Sequence, residues 1–401
     1  MTTDQKKGIQ LLSKVPQVTL FFWIIKILCT TTGETFSDFL SINVGLGLPL
    51  TTLIMGISFV IVLYIQFRTS KYNPLIYWLT VVLISVFGTL VTDNMTDGFG
   101  VPLETSTILF SALLALTFIL WYASEKTLSI HSISTVKREA LYWLTILFTF
   151  ALGTAVGDLY SEQLGFGYLK TGIIVLIIIA SVFAAWKLKL NEILAFWIAY
   201  ILTRPLGASL GDYLSQSKTI GGLELGATIT SVIFLIAIVA IIVYLIVTKY
   251  DTIMKTGAGG TDTNYSRSTH NGWVQTLVTI IIFLGVGIFG YVWSNNDIAS
   301  SMEPSQTTLT GQLNNFIQIE NDLVTNINSG NLNAAKSRAD ELEHDWDESE
   351  PVLRKIDRKT WTDIDGTIDN VLAAVRTKNP NVDKSINALR DSLNVLNESN
   401  K

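Results

Sequence analysis

The chain has 401 residues, of which 49% are hydrophobic and only 15% charged, with a mean hydropathy of +0.42. An ordinary soluble domain carries about 25% charge and is excluded; the single cysteine, Cys29, excludes a disulfide scaffold. A net charge of −5 and a pI near 5.3 exclude a basic nucleic-acid binder. Residues 301–401 hold 17 acidic and 11 basic side chains, and residues 1–300 hold 16 and 17. An apolar, near-neutral part precedes a polar, acidic one, which implies lipid for the first and water for the second.

Taken in chain order, nine stretches reach the roughly 20 apolar residues that a spanning helix needs: 18–39, 46–67, 74–93, 102–122, 139–158, 167–187, 192–212, 224–247 and 273–293. Lys6, Lys7 and Lys14 precede the first, and Arg68 and Lys71 follow the second. Lys126, Lys137 and Arg138 follow the fourth, Lys187 and Lys189 the sixth, and Lys249 and Lys255 the eighth. The intervening connectors are short, with Lys170 and Lys218 as their nearby bases. The positive-inside rule therefore gives a multi-pass protein of the cell membrane. Its expected parts are a cytoplasmic N-terminus (1–17), an eight-span domain (18–247), a flexible cytoplasmic linker (248–272), a ninth span (273–293) and an extracytoplasmic acidic helical bundle (294–401). The expected fold class is all-α.

The odd spans carry a four-fold repeat. Phe22-Trp23, Tyr77-Trp78, Tyr142-Trp143 and Phe196-Trp197 open it. Ten residues after each Trp stands Gly33, Gly88, Gly153 or Gly207, and fifteen after it Asp38, Asp93, Asp158 or Asp212. A hydroxyl follows three later, at Ser41, Thr96, Ser161 and Ser215. Each repeat holds two spans, so all four share one orientation, as parallel repeats about an axis along the membrane normal. The Trp residues fall where an aromatic belt belongs, at the cytoplasmic start. Fifteen residues at about 1.5 Å each raise the carboxylates roughly 22 Å above them. Carboxylates at that depth are costly unless they face water, a partner or an ion. The bland alternative is that each Asp caps the next turn through its i+3 hydroxyl.

The repeats depart from one another at three charged positions. Glu34 and Asp38 are four apart and share a helix face. Lys26 lies eight residues before Glu34, and Arg204-Pro205 breaks the pattern of the seventh span. The internal proline frees a carbonyl, which membranes tolerate where a helix lines a cavity. Lys26, Glu34 and Arg204 are accordingly expected to face one polar cavity, with pairing across helices as the structural alternative.

Carboxylate-rich oxygen donors suit hard cations such as Mg²⁺, Ca²⁺ or Mn²⁺. Soft-metal chemistry fits poorly: His131 and His270 fall in connectors and His344 in the tail. Ser-His-Asp, His-Glu-x-x-His and P-loop patterns are missing from the spans, so an enzyme is not expected.

The stretches Lys14–Thr19, Trp23–Lys26, Thr31–Glu34 and Thr203–Asp212 resemble a prokaryotic family of four-repeat membrane proteins, described mainly as uncharacterised membrane-anchored proteins. The resemblance covers about residues 14–248. It implies an eight-span fold and importance for Lys26, Glu34, Arg204 and the four Asp residues, but no activity. The ninth span and the tail look like additions to that core.

In the tail, helical periodicity is broken at Ser329-Gly330, near Pro351 and at Asn379-Pro380, which predicts a four-helix bundle. Glu341, His344, Asp345 and Glu348 gather on one helix, and Asp365 and Asp369 are four apart on another. A metal or cationic ligand fits between them, although a solvated acidic face is the simpler reading. Trp346 and Trp361 read as core. The favoured function is a transporter or channel for a hard cation, with the bilayer and the cation as partners and a divalent metal as the one cofactor the pattern calls for. A membrane-anchored sensor whose bundle binds a ligand is the alternative.

Overall fold

The computed structural model describes residues 14–216, 218, 222–251, 272–301, 308–377 and 380–401. Lys6, Lys7, Lys255, His270, Asn379 and the linker glycines Gly257, Gly259 and Gly260 lie outside the described residues. Among the described residues the architecture is all-helical.

The four repeat helices α1 (Leu20–Asp38), α3 (Pro74–Asp93), α5 (Val136–Asp158) and α7 (Glu192–Ser215) each begin at a polar N-cap, namely Thr19, Asn73, Thr135 and Asn191. Each cap side chain accepts from a backbone N–H of the first turn, which satisfies a donor that the helix leaves open. Between them run α2 (Leu48–Arg68), α4 (Leu103–Glu125) and α6 (Tyr168–Lys187), followed by α8 (Gly226–Thr248).

The repeat helices close into a ring: α1 packs on α3 and α7, and α5 packs on the same two. Each even helix leans on the repeat helix that follows it, α2 on α3, α4 on α5 and α6 on α7, with α8 returning to α1. The repeated glycine explains how close the ring helices come. A Cβ at Gly33 would overlap Ser85 of α3, one at Gly88 would sit 2.8 Å from the Phe150 Cβ of α5, and one at Gly153 would overlap Arg204 of α7. At Gly207 it would overlap Thr30 of α1, so the same contact closes the circle.

Among the described residues, eight helices are long and apolar enough to cross a membrane: α2 to α8, and α9 (Gly272–Ser301). The nine expected spans are thus eight by length and apolarity. Lys26, Glu34 and Asp38 remove α1, yet it lies at the centre of the bundle against α3, α7 and α8. At 30 residues, α9 is also longer than the expected 273–293. It meets the ring through the Tyr160 hydroxyl, which donates to the Gly287 carbonyl (2.6 Å), and through Ser294, which donates to the Leu164 carbonyl (2.7 Å).

The Trp residues do not form a lipid-facing belt. Trp78, Trp143 and Trp197 are buried inside the Trp end of the bundle, and Trp23 is half-buried. Tilted ring contacts between neighbouring repeat helices, Phe22–Trp78, Tyr77–Trp143, Tyr142–Trp197 and Trp23–Phe196, fill the space between the converging helices. Lys14, expected as a solvated cytoplasmic base, is also buried there, paired with Glu139 at 2.7 Å.

The C-terminal bundle comprises α10 (Asn314–Asn328), α11 (Leu332–Ile356), α12 (Arg358–Val375) and α13 (Val382–Ser399). Trp346 and Trp361 stack in its core at 5.7 Å with parallel rings. The expected break near Pro351 falls at Asp357 instead. The α11 helix runs through the proline, and Asp357 then caps α12 by accepting from the Thr360 N–H.

Candidate functional site

The repeat helices expose to the ring axis the positions that recur every fourth residue, so the gap-free register stacks side chains in layers. At the Trp end lie Phe22, Tyr77, Tyr142 and Phe196, where the Tyr77 and Tyr142 hydroxyls hydrogen-bond each other. The next layer holds Lys26, Val81, Ile146 and Tyr200, and the one above it Thr30, Ser85, Phe150 and Arg204; all eight are buried. Above these come Glu34, Thr89, Thr154 and Ala208, and then the four Asp residues.

Arg204 closes the axis. Fully buried, it turns its guanidinium into the layer above, where Nη2 donates to Glu34 (2.6 Å), Thr154 (2.7 Å) and Thr89. One group thus touches α1, α3 and α5. Pro205 is not among the residues that line the acidic chamber above, and it lies against Gly153 and Gly157 of α5. Lys26 does not share a polar cavity with Glu34 either. Its Nζ lies 4.2 Å from the centre of the Phe150 ring and 4.1 Å from that of Tyr200, without a hydrogen-bond acceptor among the described residues. The nitrogen is flanked by two ring faces instead.

Above Arg204 the axis opens. Asp38, Asp93, Asp158 and Asp212 all line one chamber of about 950 Å³, together with Glu34. Short π-helical turns follow three of the four Asp residues, at Phe39–Asn43, Asn94–Gly98 and Leu159–Gln163. The capping alternative is not what these turns show. Ser41, Thr96 and Ser161 donate to carbonyls four residues back, at 2.8, 3.1 and 2.8 Å, and the Ser215 hydroxyl is buried without a partner among the described residues. Freed from capping, the carboxylates face the chamber. Asp212 is 6% exposed, and its carboxylate accepts no hydrogen bond and makes no ion pair among the described residues.

Two lining carboxylates of the ring were missed in the sequence, besides Glu343, Asp347, Glu350 and Asp391 of the bundle. Asp97 and Glu162 stand four residues beyond Asp93 and Asp158, and continuing the four-residue register by one turn finds both, with Ile42 and Gln216 in the other repeats.

The C-terminal bundle forms the far wall of this chamber, contributing Glu343, Asp347, Glu350, Asp365, Asp369 and Asp391. Its expected ligand set is not one site. Glu341 pairs with Arg338, Asp345 takes the Asn315 amide, and His344 lies 3.7 Å from Glu348, whereas Glu348, Asp365 and Asp369 line the chamber. The face of α11 that matters is Glu343, Asp347 and Glu350, two residues on from the expected Glu341, Asp345 and Glu348, of which only Glu348 also lines the chamber. Burial, then mutual repulsion, pushes Asp347 and Asp365 well above the usual carboxylate range and Asp369 up to about 7.

In all, fourteen carboxylates and two bases, Arg354 and Lys384, line the space. Among the described residues, no group of three or more His, Cys, Asp or Glu side chains is set to hold a metal ion directly. The bundle packs against the turns that follow Asp38, Asp93 and Asp158, α12 on the first two and α11 on the third, and polar contacts fasten it further. Arg358 donates to Glu104 and Gln163, both at 3.0 Å, and Lys355 to the Asn295 carbonyl of α9 at 2.8 Å.

No curated protein and no solved structure matches the chain. A family model does, four times, over residues 21–72, 76–127, 141–189 and 195–250, and its description is a repeat of unknown function, DUF347. The four matches coincide with the four helix pairs of the ring and its outer layer, and together they take in more than half of the sequence: the chain belongs to the DUF347 repeat family.

Proposed function

We propose that the chain is a multi-pass membrane transporter or channel for a hard cation, with its N-terminus in the cytoplasm and its bundle outside. The observation that carries this reading is the chamber: one Asp from each repeat lines a single acidic space at the end of a closed helix ring. Carboxylates favour Mg²⁺, Ca²⁺ or Mn²⁺ over soft metals. Below the chamber the axis is filled by Arg204, then by Lys26 among aromatic rings, then by the Tyr77–Tyr142 pair. An acidic space roofed by the bundle at one end of the axis, with the axis filled at the other, suits alternating access, in which Arg204 leaves Glu34 before a cation passes.

The test is uptake of Mn²⁺, Mg²⁺ or Ca²⁺ into proteoliposomes by the full chain. Uptake that falls at least tenfold in Asp38→Asn, Asp93→Asn, Asp158→Asn or Asp212→Asn supports the reading. Equal flux in all four variants, or none above empty vesicles for any ion, removes it.

A further inference from the structure

The chamber has two acidic walls that belong to different parts of the chain. The ring contributes seven carboxylates and the C-terminal bundle seven more, against the two bases of the bundle. Bringing such walls together costs free energy through mutual repulsion unless protons or, at the higher pH where the carboxylates ionise, other cations enter between them. The built-in counter-charge falls short. Arg354 is paired with Glu350 and lies over Trp361, and Arg204 is spent on Glu34 below the chamber. Asp212 is the clearest sign of a missing partner. It is nine-tenths buried and lines the space, and its carboxylate has neither hydrogen bond nor ion pair among the described residues.

The spacing of the donors says what form that partner takes. Direct coordination of Mg²⁺ needs oxygen ligands converging at about 2.0–2.1 Å, and this ion gives up its water reluctantly. Among the described residues no three carboxylates are placed for direct ligation. The volume, about 950 Å³, is instead that of roughly 30 waters at about 30 Å³ each. An ion with six waters takes on the order of 200 Å³ by the same measure, so the space admits a few.

We propose that the chamber is a binding site for hydrated divalent cations, held through their water shells between Asp212 with its ring neighbours and the acidic face of the bundle, and that these cations clamp the bundle onto the ring. The inference takes the chamber of the proposed pathway as its site but requires no ion to pass through the membrane. The Arg358 and Lys355 contacts and the packing of α11 and α12 on the ring turns then act as the tether, and the cations draw the two acidic walls together across the chamber.

Spin labels at Val44→Cys and Val382→Cys report the separation of ring and bundle in the full chain in nanodiscs; both positions are exposed, and native Cys29 is fully buried. At pH 8, adding Mg²⁺ to EDTA-stripped protein is expected to shorten and narrow the distance distribution. Cobalt(III) hexaammine, which keeps its ligand shell, is expected to do the same, and K⁺ at equal ionic strength is not. In the Asp347→Asn/Asp365→Asn/Asp369→Asn variant the response to Mg²⁺ is lost. Asn at 365 still accepts the hydrogen bond that Trp346 donates at 2.8 Å, and a retained circular-dichroism melt checks folding. Asp212→Asn, which leaves the bundle untouched, is expected to shift the Mg²⁺ midpoint upward by several-fold.

The same distances in EDTA and Mg²⁺, closure by K⁺ alone, or a full Mg²⁺ response in the triple variant would each overturn the clamp. Closure by Mg²⁺ without closure by the cobalt complex would overturn the hydrated form. Flux plays no part in these readouts: a clamped chain that passes no ion refutes transport alone, and a transporting chain whose bundle ignores cations refutes the clamp alone.

Discussion

Replacing Glu34 by Gln tests whether the ring axis is held by one shared cation. In the native protein the Arg204 Nη2 reaches Glu34, Thr89 and Thr154 together, and the guanidinium has no solvent exposure. Removing one partner of a buried ion pair costs about 3–5 kcal/mol, because the other charge stays buried and uncompensated. Glu34→Gln keeps an acceptor oxygen, and two hydroxyls remain, so the lower end, about 3 kcal/mol, applies. Arg204→Met leaves Glu34 unpaired, but Glu34 borders the chamber and water reaches it, so a similar or smaller loss is expected. The double variant removes both charges and should regain part of the loss, with a coupling on the order of 2 kcal/mol in a double-mutant cycle. Thermal or denaturant unfolding of the four proteins in one detergent supplies the cycle. Additive losses, with coupling below about 0.5 kcal/mol, would refute the claim that Arg204 and Glu34 form the central pair.

Gly153→Ala, whose Cβ would overlap Arg204, should destabilise the ring by about 1–3 kcal/mol as overpacking does, whereas Gly167→Ala should act through its backbone φ of 73° alone, with nothing within 4 Å of its Cβ; equal melting of Gly153→Ala and the native protein contradicts the close approach. Glu320, buried in the C-terminal bundle with Ser392 donating to it at 2.6 Å, has its pKa pushed up to about 8 by burial. Since its proton is bound more tightly folded than unfolded, stability is full below about pH 4 and falls as pH rises to about 8, by a few kcal/mol at about 1.4 per unit. Glu320→Gln should flatten that slope, raising the melting temperature at pH 9 but not at pH 4, and an unchanged slope refutes it. Asp369, raised to about 7, predicts that cation binding by the chamber weakens as pH falls below 7, read by Mn²⁺ titration at pH 6 and 8; equal affinities would exclude proton competition there.

The repeat was legible because it is written in fixed spacing: the aromatic-Trp pair, the Gly and the Asp recur at the same intervals, and each has one structural meaning in all four copies. The Gly fixes helix approach, the Asp reaches the chamber, and the hydroxyl bonds back along its own helix in three copies. What escaped was direction around the helix axis. Trp depth along the helix was readable, but whether the ring turns toward lipid or toward Phe22, Tyr77 and Tyr142 depends on neighbours far away in sequence. Lys26 escaped for the same reason, since its company, Phe150 and Tyr200, comes from two other repeats. In the bundle, acidic residues fill several faces of α11, so composition alone did not single out Glu343, Asp347 and Glu350.

The departures from the repeat make sense only in a closed ring. Lys26 and Glu34 belong to the first repeat and Arg204 to the fourth, so a row of four hairpins would hold them at opposite ends. Closure puts α7 against α1, with Gly207 set against Thr30 as the seam, and brings Arg204 within 2.6 Å of a carboxylate 170 residues away. The Thr89 and Thr154 hydroxyls of the two middle repeats complete the guanidinium's set from the sides. Four equal copies supply the scaffold and the acid ring, and two unequal ones supply the pair that closes its floor. Exchanging the layer residues of repeats one and three, Glu34→Thr with Thr154→Glu, keeps the composition and moves the carboxylate from α1 to α5. Because α5 also flanks α7, the pair should re-form across the ring, with stability near the native value. Collapse of that swap to the level of Glu34→Gln would show that the site depends on the first repeat itself and not on the geometry of the ring.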